Sequence, residues 1–159
     1  PRSSLWNWGR SPRQRPSPGA RTAREGLQAV SSANRERIRP KDTRSVTGGV
    51  DIDEDLREQS PTDNRWDDAV GYRVSDAVEK VFFIEVHPAE TSEIICVVHK
   101  AEHLTKWAER NAPDLWNMTI PLEIHWIASG RCDLRLNDPY RRRLANVGVG
   151  SPRQSLELG

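Results

Sequence analysis

The sequence predicts an α/β protein of the α+β kind, a mixed β-sheet flanked by helices, and three observations carry this expectation. Two strongly apolar segments, Trp66 to Val74 and Val78 to His87, are separated by a short polar connection, as in an antiparallel hairpin. A segment from Thr91 or Ser92 to about Asn111 then repeats Ile94, Val97, Val98, Ala101, Leu104 and Ala108 along one helical face. A further strand, Ile120 to Ser129, follows that helix, so the sheet combines a hairpin with a helix-linked strand.

The elements follow in order. Residues 1–19, with four prolines among arginines and serines and only Trp6 and Trp8 as bulky groups, read as a disordered basic arm. Residues 20–159 read as a single domain. It opens with a weakly apolar helix from Ala20 to Ile38, carrying Ala23, Leu27, Val30, Asn34 and Ile38 on one side and stopped by Pro40. Val46 to Ile52 is a short β-branched segment broken by Gly48 and Gly49, and Asp51 to Glu58 an acidic helix or turn. Ser60, Pro61, Asp63 and Asn64 make a turn before the hairpin. Pro113 ends the long helix, Gly130 ends the strand after it, and Asp133 to Leu136 is a further short strand. Asp138 as N-cap with Pro139 in the first turn starts a final helix, which Gly148 ends.

Core-forming residues are scarce: 33 Leu, Ile, Val and Phe stand against 47 charged side chains, and 29 of the 33 fall after residue 44. The core is therefore small and C-terminal to the arm. Charge is segregated, with net +8 over residues 1–44, −9 over 45–98 and +2 over 99–159. The longest apolar run, Ile94 to Val98, is too short to cross a membrane. Two cysteines, Cys96 and Cys132, make no disulfide framework, which points to a reducing, cytoplasmic setting. Starting at Pro1 with Met118 as the single methionine, the chain reads as a processed product or a fragment. Without GxGxxG, GxxxxGK or GxSxG, the usual nucleotide-binding and serine-hydrolase classes drop out.

The strand ending at His87 holds the anomaly that points to chemistry. By the two-residue period Val81, Phe83, Glu85 and His87 face one way, and Phe82, Ile84 and Val86 the other. A glutamate and a histidine at the end of so apolar a strand are costly to bury without hydrogen bonds or a cation. In a hairpin this end lies beside the start of the first strand, Trp66-Asp67-Asp68, so one of the two aspartates is expected next to Glu85. Converging carboxylates repel unless a proton or a metal separates them, and oxygen donors suit Mg²⁺ or Mn²⁺.

This arrangement resembles the PD-(D/E)XK nuclease superfamily with its restriction-endonuclease-like core. That pattern is an Asp at the start of one strand, a Glu-x-Lys at the end of the next, then a long helix and another strand. The matching residues are Asp67 or Asp68 and Glu85, and the resemblance covers roughly residues 20 to 130. It implies a nuclease-like domain in which these acids bind Mg²⁺ or Mn²⁺ and a lysine positions or activates the water that hydrolyses a nucleic-acid phosphodiester. Two positions depart from the pattern. Trp66 or Asp67 stands where the family often has proline, and His87 stands at the lysine position. Histidine can ligate Mn²⁺ or act as a base near neutral pH. Lys100 on the following helix is a second candidate for the missing charge, since some members of the superfamily carry the lysine there. It lies about 80° from the centre of the apolar face, where a long side chain either reaches inward or snorkels outward.

Other groups are weaker candidates. His99 and His103 have metal-pair spacing but fall on the solvated side of the helix, Asp51 and Asp53 read as an acidic turn or a further carboxylate source, and His125 reads as a packed or edge histidine. Arg131 and Arg135, with the run Arg141, Arg142 and Arg143, can hold a phosphate backbone. Two functions follow from these residues. One is a metal-dependent nuclease-like hydrolase; the other is an inactive relative serving as a nucleic-acid-binding or protein-interaction module.

Overall fold

The computed structural model describes residues 21–119, 123–132, 134 and 137–159. The basic arm with Trp6 and Trp8, the start of the strand expected from Ile120, and Asp133, Arg135 and Leu136 of the short strand lie outside the described residues. The elements in chain order are α1 (Ser32–Arg35), β1 (Ile38–Pro40), β2 (Val46–Asp51), α2 (Ile52–Leu56), β3 (Asp68–Ser75) and β4 (Val78–His87). They continue with α3 (Ile94–Asn111), α4 (Pro113–Asn117), β5 (Ile124–Ala128), α5 (Asp138–Asn146) and β6 (Leu156–Leu158).

Four strands make a mixed sheet in the order β2-β3-β4-β5, with β2, β3 and β4 successively antiparallel and β5 parallel to β4. The expected hairpin is present, its polar connection turning between Ser75 and Val78. Period-two alternation along β4 divides the apolar residues between two cores. Val81 and Phe83 pack under α3 with Ile94, Val97, Ala101 and Leu104, whereas Phe82 and Ile84 pack on the opposite face with Val30, Ile38, Val70 and Ile127. Helix α3 thus covers one face of the sheet, as its one-sided apolar stripe requires. The second face is covered by the segment around α1 and by a two-stranded parallel ribbon of β1 and β6, in which Ile38 pairs with Leu156.

Several local expectations are corrected. Ala20 to Ile38 is not one helix: among its described residues the only α-helical turn is α1, capped by Ser31 through Asn34 N, and Ile38 belongs to a strand. The reason is a non-local pairing. Gly26 takes φ +57°, and the Arg24 amide and carbonyl exchange hydrogen bonds of 3.0 and 2.9 Å with Gly49. A Cβ at Gly48 would lie 3.1 Å from the Arg24 carbonyl oxygen, so the glycines allow this approach and the strand continues through them with a bulge. Pro113 stops α3 but also opens α4, where its missing amide costs nothing. The last helix is capped by Asn137, which accepts from the Tyr140 amide at 3.0 Å, and not by Asp138.

No helix among the described residues is long and apolar enough to cross a membrane.

Candidate active site

The site begins with register. Asp68 pairs with Ile84 and Ala69 with Phe83, so Asp67, one residue before β3, comes beside Glu85. Trp66, fully buried in the core beneath α3, anchors the chain just before it. The contact is reciprocal: the Asp67 amide donates to Glu85 Oε2 at 3.1 Å, and the Val86 amide donates to Asp67 Oδ2 at 2.9 Å. Each carboxylate therefore has one oxygen held by backbone. The other oxygens, Asp67 Oδ1 and Glu85 Oε1, turn toward Lys100 from α3, whose Nζ contacts Glu85 directly and lies 3.8 Å from Asp67. Lys100 is the inward-reaching cation, and the snorkelling alternative does not apply.

Glu85 is fully buried, and Asp67 and Lys100 are partly exposed. Burial, reinforced by the neighbouring Glu85 charge and opposed by Lys100, pushes the Asp67 carboxyl up to about 7. Burial by itself would lower Lys100, but Glu85 and Asp67 outweigh it and its pKa is raised. Two carboxylates thus share one ammonium.

His87 stands at the end of β4 with its backbone pinned. Its carbonyl accepts from Trp126 Nε1 at 3.1 Å and from the Ser129 amide at 3.0 Å. Its Nδ1 lies 3.4 Å from Glu85 Oε1 and its Nε2 2.7 Å from Glu93 Oε2. The hydrogen bond to Glu85, working against burial and aided by Glu93, raises its pKa, so the ring is inclined to carry a proton.

The other candidates separate from this cluster. Asp68 points to the opposite side of the sheet, where it accepts from Asn34 Nδ2 at 3.3 Å; a one-residue step along a strand reverses the face. Its own carboxyl is pushed up to about 8 by burial and by Asp67. Asp51 caps α2 through the Glu54 amide at 2.8 Å, and Asp53 pairs with Arg57 and with Arg65, so both serve local structure. His99 is exposed, and His103 pairs with Asp63 at 3.4 Å, away from the carboxylate cluster's hydrogen bonds. Arg131, Arg141, Arg142 and Arg143 are exposed, the last three on the outer side of α5 whose Leu144 packs inward. Among the described residues no hydrogen bond or ion pair joins them to Asp67, Glu85 or Lys100. Arg135 lies outside the described residues.

Two residues escaped the sequence reading, Glu93 and Cys96. With Lys100 they form an i, i+3, i+7 stripe on the side of α3 that overlooks the end of β4, and this spacing was the available signal. Burial pushes the Cys96 thiol up, while Lys100 opposes the shift. No family model, curated protein or solved structure matches the chain.

Proposed function

We propose that the protein is a metal-dependent hydrolase of nucleic-acid phosphodiesters, of the restriction-endonuclease-like kind that its motif resembles. The observation that supports this reading is the convergence of Asp67 Oδ1 and Glu85 Oε1 on one point, occupied by the Lys100 ammonium. The donor set fits a hard divalent cation, being two carboxylate oxygens, one from a fully buried residue, with only one fixed ammonium against them. Asp67 and Glu85 would hold Mg²⁺ or Mn²⁺, which when bound supplies Lewis-acid polarisation of a phosphate oxygen and a more acidic water.

The chain's own groups do the rest. Lys100 orients the attacking water and offsets charge on the phosphate, taking over on α3 the task of the lysine that His87 replaces. His87, whose pKa is raised by Glu85 and Glu93, can hand on or take up a proton beside the cluster while its ring carries no metal. Arg131, Arg141, Arg142 and Arg143 hold the nucleic-acid backbone.

The test is calorimetric titration of metal-stripped protein with Mn²⁺, followed by incubation with labelled single- and double-stranded DNA and RNA. We expect binding at millimolar Mn²⁺ or tighter and cleavage of at least one substrate, both lost in Glu85→Gln. Absence of Mn²⁺ and Mg²⁺ binding at millimolar concentration overturns the hydrolase and leaves the nucleic-acid-binding or protein-interaction module in its place.

A further inference from the structure

Beside the carboxylate pair, a second set of donors has a different chemistry. A ring nitrogen of His87, a carboxylate oxygen of Glu93 and the Sγ of Cys96 all lie within 4.8 Å of one another, and all three residues are partly exposed, within reach of solvent. A tetrahedral zinc site, with bonds of about 2.0–2.3 Å, sets its donors roughly 3.3–3.8 Å apart. Small side-chain rotations therefore suffice to close this group around an ion.

We propose that His87, Glu93 and Cys96 form a site for a borderline-soft divalent cation of the zinc class, separate from the hard-cation pair Asp67 and Glu85. Three features carry it. The donors are one imidazole nitrogen, one thiol sulfur and one carboxylate oxygen, and a sulfur–nitrogen pair selects zinc-class ions over Mg²⁺. The histidine is oriented from behind, because Glu85 Oε1 faces its Nδ1 at 3.4 Å while its Nε2 faces Glu93 at 2.7 Å. Such a carboxylate behind a ligating imidazole fixes its tautomer and strengthens its lone pair. The scaffold is rigid, since Glu93 and Cys96 sit three residues apart at the start of α3 and the His87 carbonyl is held by Trp126 and Ser129. Binding releases the Cys96 thiol proton to solvent, together with a proton from any His87 ring that is doubly protonated, and a fourth position is left for water.

Cobalt is the probe, because its bond to a thiolate gives near-ultraviolet charge-transfer absorption. The 159-residue chain, stripped of metal and reduced, is titrated with Co²⁺ and then with Zn²⁺. We expect the thiolate band to saturate near about one cobalt per chain and to disappear as zinc displaces it. Cys96→Ser should abolish the band and Cys132→Ser should keep it, while His87→Gln and Glu93→Gln weaken cobalt binding about 10–100-fold. Asp67→Asn should retain the band, which makes the result independent of the hydrolase reading. A wild-type protein without the band, or a band that survives Cys96→Ser, overturns the site. In the unsubstituted chain, Zn²⁺ should also shield Cys96 from alkylation, read by peptide mass; equal labelling with and without zinc overturns the site whatever the variants' folding.

Discussion

Glu85 has no exposed surface, yet both its oxygens are engaged, Oε2 by the Asp67 amide and Oε1 by Lys100 with His87 Nδ1 close by. A buried carboxylate tolerates this position only because the ammonium is there, and breaking such a pair from one side leaves an uncompensated charge. Lys100→Met should therefore lower stability in chelator by about 3–5 kcal/mol, measured by urea unfolding. The same variant should bind Mn²⁺ at least as tightly as wild type, because an ammonium is no metal ligand and competes for the same two oxygens. Its rate of nucleic-acid cleavage should fall. Unchanged stability in chelator would mean that the Glu85–Lys100 contact carries no weight in the fold.

At the scale of elements, the site is a junction between the ends of β3 and β4 and the first turns of α3. The helix buries Ile94, Val97, Ala101 and Leu104, and this same rotation leaves Glu93, Cys96 and Lys100 along the edge facing His87 and Glu85. The parallel pair β4 and β5 offers a separate test. His125 stacks on Phe82 with ring centroids 5.9 Å apart, and its Nε2 lies 2.7 Å from Glu123. Burial lowers its pKa from 6.5; Glu123 opposes the shift and Arg153 adds to it. With the folded value below the unfolded one, the unfolded chain takes up the proton first. The contribution of neutral His125 is then present above about 6.5 and is lost as pH falls below it. Melting temperatures of wild type and His125→Gln, measured from pH 7.5 down to 5, should converge as the solution is acidified. A difference independent of pH would show that the buried ring is not held neutral.

For the molecule as a whole, the sheet separates two apolar clusters, and the second is closed by chain distant in sequence. Ile38 and Leu156 pair across the β1–β6 ribbon, and Leu156 and Leu158 are buried against Val70, Phe82 and Ile84. These leucines link the start of the described chain to its end. Leu156→Ala should cost about 2–5 kcal/mol through lost burial and the cavity left behind. Because the second cluster shares β3 and β4 with the first, we expect one cooperative urea transition with an unchanged slope. A separate early transition would show that the ribbon unfolds independently of the sheet.

What the sequence by itself determined rests on short-range repetition. The alternation along Val81 to His87, the helical stripe from Ile94 to Ala108 and the brief connection at Asp76 were enough to specify the hairpin and α3. With them came an aspartate beside Glu85, because hairpin partners are fixed by counting from the turn. The tertiary structure decided what counting could not. Asp67 and not Asp68 meets Glu85, since adjacent residues on a strand face opposite sides and the bulge between Arg73 and Ser75 sets the register. Lys100 reaches inward because the rotation of α3 on the sheet is set by packing of its whole apolar face. Arg24 lies against Gly49, and Ile38 against Leu156, in pairings between segments far apart in the chain. Such contacts leave no periodic trace in either segment, so only the folded chain, where burial and backbone pairing are satisfied together, selects them.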